Sequence, residues 1–512
     1  MGSHKRSVFI YATIVAMGGF VFGLDAALIS GVIEFLTEEF SLTAGQLGTL
    51  VAVPNLGVLV ALPFAGHICN RFGRKKAILL IAFLYIVSAI GSAMAPSYRM
   101  LVVARFVGGL AFSSISLASM YIGEIAQPKY RGKLVSMTQI NIVVGLSAAY
   151  FINYLIQGLG WGPDTWRWML AAEIPFALLW ILLLLTIPES PAWYFYRGRI
   201  VEAKQTLRKL MPESEIDDHV AEVEQSLKGG PEDRSLWAQL AEIFGTRMRL
   251  TFIIAFTIAI AQQATGINAV LFYAQTIFKQ LGIGTNAAFV QAIWVGLTSV
   301  VFTIVGLVLV DKLGRRPLII WGMVWIIISL GLCSYAFKGA RYVLPQEAIA
   351  ELTDIDNADR LRVIADKEFA SDILFREAIV ETIGEEEANA YRGSILDRSI
   401  NINTTLVLFS ILSFIAAFHF SVGPVMWVLF SEIFPVGVRG IAIPFFTIVT
   451  SVTSWFVQYS FPTLLESMGM SSIFLFYAST VLIGLLILCF TLKETKNMSI
   501  EEIQEALSPR GS

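Results

Sequence analysis

Cysteine and histidine are scarce, with three and four copies in 512 residues, and charged residues make up only 15% of the chain. Cys69, Cys333 and Cys489 lie in or beside different apolar runs, so no disulfide framework is expected. The scattered histidines form no metal-ligating cluster and no nucleophile stands beside a base, so the chain does not read as an enzyme. A net charge of −2 offers no basic surface to a nucleic acid. Soluble globular proteins are about 25% charged. With 56% hydrophobic residues and a mean hydropathy of +0.69, this chain falls outside that class.

What is abundant is apolar sequence in lengths that suit a bilayer. A helix needs roughly 20 apolar residues to cross the hydrocarbon layer. Twelve such runs are read, at 8–33, 47–68, 77–96, 100–122, 135–158, 168–187, 250–277, 287–310, 317–337, 402–430, 438–463 and 471–491. The fold expected is an all-α membrane protein with twelve transmembrane helices in two six-helix halves. Residues 5–190 form the first bundle, 191–249 a helical linker, 250–492 the second bundle and 493–512 a tail. Basic residues gather in alternate loops, around Arg71 to Lys76, Lys129 to Lys133, Lys312 to Arg316 and at Arg439. The positive-inside rule then places both termini, the tail and the linker in the cytoplasm. No small-residue cleavage site follows the first run, so it is expected to stay as a span. The end sequences MGSH and SPRGS are set outside the functional reading.

The halves repeat one another. NRFGRK at Asn70–Lys75 recurs as DKLGRR at Asp311–Arg316, Glu124, Arg131 and Gly132 recur as Glu432, Arg439 and Gly440, and Glu189 recurs as Glu494. The offset grows from 241 residues for the first pair to 308 for the second, and the polar stretch 338–400 accounts for the excess. That insertion faces the side opposite the termini, and its pattern suggests short helices (EAIAELTDI, ADRLRVIADKEF, ILFREAIVETI) in a solvated cap, the alternative being a substrate-recruiting lid. At the cytoplasmic helix ends, Arg71, Arg74, Arg131, Arg315 and Arg439 stand near Glu124, Glu189, Glu432 and Glu494 and can form inter-helix ion pairs. They are expected to latch the outward-open state and to break when the cytoplasmic side opens.

Two features inside the spans point to chemistry. Asp25 is the only charge between Arg6 and Glu34, and an acid at mid-span costs about 2.5–3.5 kcal/mol unless it is paired, protonated or wet. Arg105, also inside an apolar run, is its natural partner. The run QQATGIN carries Gln262, Gln263 and Asn268, and amides suit a neutral polyhydroxyl ligand because they donate and accept without a charge to desolvate. On a continuous helix Gln262 and Gly266 share a face, and Gly266 can loosen it.

A six-plus-six parallel repeat with a large central loop is the arrangement of major facilitator transporters, whose substrate site lies near the bilayer midplane between the halves. More narrowly, the chain resembles the sugar porter family, which includes bacterial xylose–proton symporters, plant hexose symporters and animal glucose facilitators. The motifs that carry the likeness are FGLDAALISG, NRFGRK, RFVGG, EIAQPKYRGK, PESPAW, QQATGIN, DKLGRRP and GPVMWVLFSEIFP. The resemblance implies sugar contacts at Phe22, Gln139, Gln262, Gln263, Asn268, Tyr273, Ser299, Gly423, Trp427 and Thr450, with Trp427 against the sugar ring and Tyr273 at a gate. It sets Arg105 beside Asp25 as the proton-coupling pair.

Several positions depart from the family pattern. Ser299 replaces an asparagine, Thr450 and Ser451 stand where an amide and a tryptophan are usual, and Phe272 replaces the first tyrosine of the gate pair. Asn70 stands for an aspartate, and KETKN for PETKG. Shorter hydroxyls make a roomier pocket with fewer amide contacts. His419 reads as a hydrogen-bonded structural residue or as a ligand of substrate or proton.

The expected function is proton-coupled symport of a neutral monosaccharide by alternating access, with the proton as coupling ion and no cofactor. The alternatives are a sugar uniporter, a proton symporter of a polyol such as inositol, and a non-transporting nutrient sensor, which would usually carry a long signalling tail. An organic acid would need a cationic clamp besides Arg105. The chain is expected to work as a monomer among lipids, in a plasma membrane of bacterial inner type.

Overall fold

Polar residues in short loops start the helices. Thr43 and Gln46 cap Ala44–Phe72 reciprocally, the Ser97 hydroxyl accepts from the Met100 amide ahead of Tyr98–Ala111, and Asn403 accepts from Leu406 ahead of Thr404–Phe420. The computed structural model describes residues 3–112, 114–126, 128–228, 241–349, 352, 358–384, 387, 388, 395, 396 and 398–507. Eleven described helices are long and apolar enough to cross a membrane. The last, Val438–Thr491, is two spans in one, because Gly469 at φ +69° turns the chain back within it. A left-handed backbone is open to glycine at little steric cost.

Twelve spans result. The first half contains Ser3–Phe40, Ala44–Phe72, Arg74–Ala93, Tyr98–Ala111 with Ser114–Ile125, Pro128–Leu159, and Thr165–Ala171 with Glu173–Thr186. The second contains a broken span 7 (Arg249–Ala264, Ile267–Phe272, Ala274–Lys279), then Thr285–Leu313, Arg315–Lys338, Thr404–Phe420 with Val422–Ile433, and the two arms of Val436–Thr491. Ser3 and Leu507, the first and last described residues, reach one face of the bundle, here the terminal face; the insertion covers the opposite, insertion face.

Span 7 departs from the continuous helix expected. Gly266 stands at φ +79° and separates Arg249–Ala264 from Ile267–Phe272, so Gln262 and Asn268 lie on different helical segments. A side chain at Gly266 would also run into the Tyr477 ring.

The halves meet through span 2 on span 11 and span 5 on span 8. Glycines bring the backbones together, with Gly48 against the Tyr459 backbone and Gly296 against Ser147. Three polar links cross between the halves: Asn55 Nδ2 to Gln458 Oε1 at 3.1 Å, the Tyr150 hydroxyl to the Leu271 carbonyl at 2.6 Å, and the Lys279–Glu34 ion pair. All three lie on the insertion side. Among the described residues no hydrogen bond or ion pair joins the halves on the terminal side, so the protein is fastened shut at the insertion face.

The insertion corrects an all-helical expectation. Arg341–Val343 (β1) pairs antiparallel with Glu368–Phe369 (β2) and Ile400–Asn401 (β3), giving a sheet in the order β2-β1-β3. Strands this short, paired across long sequence gaps, leave no periodicity to read. Helices form at Gln346–Ile349 and Asp372–Ile383 and a 3₁₀ turn at Ala358–Val363, while residues 350, 351 and 353–357 of the EAIAELTDI region lie outside the described residues. The insertion has its own core of Tyr342, Leu344, Leu361, Phe375, Ile379 and Ile395. It docks on the turn between spans 11 and 12, where Arg376 reaches Glu466 at 3.7 Å. Linker helices Pro191–Tyr196, Ile200–Leu210 and Glu213–Lys228 lie at the terminal face; residues 235–240 of SLWAQLAEIF lie outside the described set. In the tail, Ile500–Leu507 buries Ile503 and Leu507, and Gln504 donates to the Ile433 carbonyl at 2.6 Å.

Candidate functional site

Spans 1, 4 and 6 bring three ionisable side chains together away from water. Arg105 Nη1 donates to Asp25 Oδ1 at 2.7 Å, and the two residues are 2% and 4% exposed. Gly108 of RFVGG keeps room for the pair, since a Cβ there would come within 2.6 Å of Ser88 Oγ and 3.8 Å of Asp25 Oδ2. The third member, Glu173, was not foreseen: it is 1% exposed and lies close enough to Asp25 and Arg105 to feel the charge of both. Asp25 Oδ2, Glu173 Oε1 and Arg105 Nε are buried without a hydrogen-bond partner. Two carboxylates around one guanidinium carry an excess negative charge, and a single proton shared between carboxyls removes it. Charge balance would let this cluster take up a single proton. The signal that exposes Asp25, an acid inside an apolar run, also applies to Glu173 in AAEIPF.

The predicted amides also converge, but on each other. Gln262 is buried and donates to the carbonyls of Val422 and Gly423 at 3.3 and 3.1 Å, and its Oε1 accepts from Gln263 at 3.1 Å. Gln263 Oε1 accepts from Asn268 at 2.8 Å, and Asn268 also donates to Ser454 Oγ at 2.8 Å. Gln458 Nε2 donates to the same Ser454 oxygen at 2.7 Å and receives Asn55 of the other half. The result is an unbroken ladder of amides from span 10 through spans 7 and 11 to span 2. Sequence reasoning missed Ser454, Gln458 and Asn55, because a hydroxyl and two amides in separate apolar helices show no partnership along the chain.

Other expected sugar contacts stand apart from the ladder. Ser299 and Thr450 turn their hydroxyls to the Val295 and Phe446 carbonyls of their own helices. Tyr273 is fully buried, donates to the Gln458 carbonyl at 3.1 Å and packs on Phe461, so here it ties span 7 to span 11. Phe22 packs edge-on against Phe112, Gln139 is half-buried on span 5, and Trp427 is 38% exposed beside Phe430. His419 is buried with Nδ1 3.2 Å from Thr303 Oγ1, and its Nε2 has no hydrogen-bond partner among the described residues.

The terminal-face motifs form two matching clamps. Arg74 holds Glu124 through Nε at 3.0 Å and Nη2 at 2.9 Å, and Arg315 holds Glu432 through Nε at 3.0 Å and Nη2 at 2.7 Å. Ser190 and Thr495 hydroxyls complete the respective carboxylates. Glu189 and Glu494 do a different job from the one expected. Glu189 accepts the backbone amides of Arg74 and Lys75 at 2.8 and 2.9 Å, and Glu494 those of Arg315 and Arg316 at 2.9 and 3.1 Å. Each caps the exposed N-terminus of a helix, where a carboxylate meets both free N–H groups and the helix dipole. Asn70 keeps a hydrogen bond to Arg74 at 3.2 Å where its counterpart Asp311 makes an ion pair with Arg315 at 3.3 Å.

The latch expectation needs correcting on two counts. Arg71 lies over the Phe72 ring and Arg439 donates to the Phe434 carbonyl, so neither enters an acid clamp. The Arg131 side chain lies outside the described residues. Each clamp forms within one half and stands intact while the insertion face is closed, so neither fastens the halves to one another. Glu189→Ala and Glu494→Ala are each expected to lower stability by about 1–3 kcal/mol, because two buried-edge amides lose their acceptor. Thermal unfolding in detergent against Lys209→Ala, on an exposed helix face, checks this.

Two six-helix bundles sharing a polar seam, with an ionisable cluster buried in one of them, define a carrier of the major facilitator type. Residues 11–349 and 392–507 match the family model described as Sugar (and other) transporter, and the chain belongs to that family. It is a transporter and not an enzyme. The interruption of the match falls in the insertion. Among curated relatives, the arabinose–proton symporter of Bacillus subtilis is 31% identical over 98% of this chain and 96% of its own length. The D-xylose–proton symporter of Escherichia coli is 31% identical over 99% and 98%. Among solved structures, the xylose transporter XylE from E. coli in its inward-open conformation has a TM-score of 0.75 at 28% identity, covering 98% of this chain and 100% of that one. XylE bound to 6-bromo-6-deoxy-D-glucose gives 0.73 at 29% identity, covering 99% and 100%.

Proposed function

We propose that this chain is a proton-coupled symporter of a neutral monosaccharide, working as a monomer in a bacterial inner membrane with both termini in the cytoplasm. The observation that carries the reading is the Asp25–Glu173–Arg105 cluster, whose charge balances on binding one proton. The names of the arabinose–proton and D-xylose–proton relatives support the same coupling. The amide ladder supports a neutral polyhydroxyl substrate, since it presents hydrogen-bonding groups without charge. The basic clusters at the terminal face support the orientation.

The cycle follows from the two sites. With the insertion face shut and Asp25 bound to Arg105, the protein stands as it would after sugar and proton have left into the cytoplasm. Once the halves rock, a proton from outside enters between the carboxyls and loosens Asp25 from Arg105. Sugar then binds between the halves, the outer side closes, and opening of the terminal face releases both. The proton is the coupling ion and no cofactor takes part.

The test is uptake into proteoliposomes with an alkaline interior, using D-xylose, L-arabinose, D-glucose and myo-inositol. One of the monosaccharides is expected to accumulate and a protonophore to abolish that accumulation. Gradient-independent equilibration would exclude symport, and accumulation of inositol alone would exclude a monosaccharide.

A further inference from the structure

The amide ladder does not stop at the sugar residues. Thr450, Ser454 and Gln458 are spaced four apart and line one face of span 11. The family pattern sets an amide at Thr450, but here the amide stands at Gln458, about 12 Å nearer the insertion face at the rise of an α-helix. There it is 1% exposed and meets Asn55, whose Nδ2 also donates to the Ala52 carbonyl at 3.3 Å. Ser454 Oγ accepts from both Asn268 and Gln458, at 2.8 and 2.7 Å, and so fixes the direction in which Gln458 points its oxygen.

We propose that Asn55 and Gln458 are the polar catch that holds the insertion side closed, and that Ser454 wires this catch to Asn268 of the sugar site. The inference rests on the proposed sugar site at Gln262, Gln263 and Asn268. Asn268 Nδ2 spends its hydrogens on Gln263 and Ser454. A sugar hydroxyl that takes the second hydrogen frees Ser454 to turn, and Gln458 loses the contact that orients it toward Asn55. Coupling of this kind is reciprocal. A closed catch therefore weakens sugar binding in the conformation open to the terminal face, which is where a symporter must let its sugar go. Asn55 and Gln458 act through Asn268 and are positioning residues; neither is assigned a sugar contact.

The test uses the full chain with Cys69, Cys333 and Cys489 replaced by alanine and a reporter, Leu50→Cys, fully buried toward the insertion side of span 2. Labelling by a membrane-impermeant maleimide is followed without sugar. Asn55→Ala and Gln458→Ala are each expected to raise the labelling rate about five- to tenfold, the effect of one hydrogen bond on a two-state balance. The double variant should add nothing further, and the exchange Asn55→Gln with Gln458→Asn should restore slow labelling. Affinity for D-xylose and L-arabinose, read by tryptophan fluorescence, is expected to tighten severalfold in both single variants, whereas a merely structural loss would weaken it. Unchanged labelling in either single variant, a multiplied effect in the double, or weaker sugar binding overturns the proposal. Failure of the parent to bind any sugar, with labelling still raised by the variants, would sink the sugar reading and leave the catch standing as a gate alone.

Discussion

Asp25→Asn is expected to abolish gradient-driven accumulation while sugar counterflow continues. The substitution keeps the size and the acceptor oxygen that meets Arg105 at 2.7 Å, but it removes the group that ionises. With one carboxyl left, Glu173 faces the guanidinium alone, and the cluster is neutral without a proton. The carrier can then reorient with or without a gradient, and sugar reaches no more than its outside concentration. Sealed vesicles preloaded with unlabelled sugar report exchange, and vesicles with an alkaline interior report accumulation. Loss of both in equal measure would make the Asp25–Arg105 bond a fixed brace between spans 1 and 4, and intact accumulation would remove Asp25 from coupling altogether.

Arg105→Ala is expected to be the most damaging single change in the membrane core, destabilising by about 3–5 kcal/mol, because it leaves buried carboxylates with no counter-charge. Asp25 and Glu173 are 4% and 1% exposed, so water cannot replace the lost partner without opening the bundle. Adding Asp25→Asn should recover part of the loss, since it removes one of the two carboxylates left without a counter-charge while Glu173 remains. Thermal unfolding in detergent for the two single variants and the double gives the coupling directly. Additive losses would mean that the two side chains stabilise the fold independently.

Most of the architecture could be read along the chain because a bilayer writes it there. Twelve apolar runs became twelve spans, and the Arg74–Glu124 and Arg315–Glu432 clamps occupy the repeated motifs. Asp25 and Arg105 stood out because a charge in an apolar run must find a partner. What escaped was whatever depends on three-dimensional neighbours. Asn55 and Gln458 are 403 residues apart, and an amide in an apolar helix names no partner. Glu189 and Glu494 were read as partners of arginine side chains, yet the groups they satisfy are backbone amides, which every residue carries. The insertion sheet escaped for the same reason, its strands being too short to show alternation. Gly266 was visible as a weak point, but whether it loosens a helix or ends one depends on the Tyr477 ring packed against it.

The glutamate-capped turns also restrict how this carrier can move. Gly73 alone joins Ala44–Phe72 to Arg74–Ala93, and Gly314 alone joins Thr285–Leu313 to Arg315–Lys338. A one-residue connection with its amides already held cannot pay out slack, so neither helix of a pair can slide along the other by even a single turn of about 5.4 Å. Spans 2 and 8 are also the helices that face the opposite half. Any movement of these surfaces therefore carries spans 3 and 9 along, and alternation falls to six-helix blocks moving as units against each other.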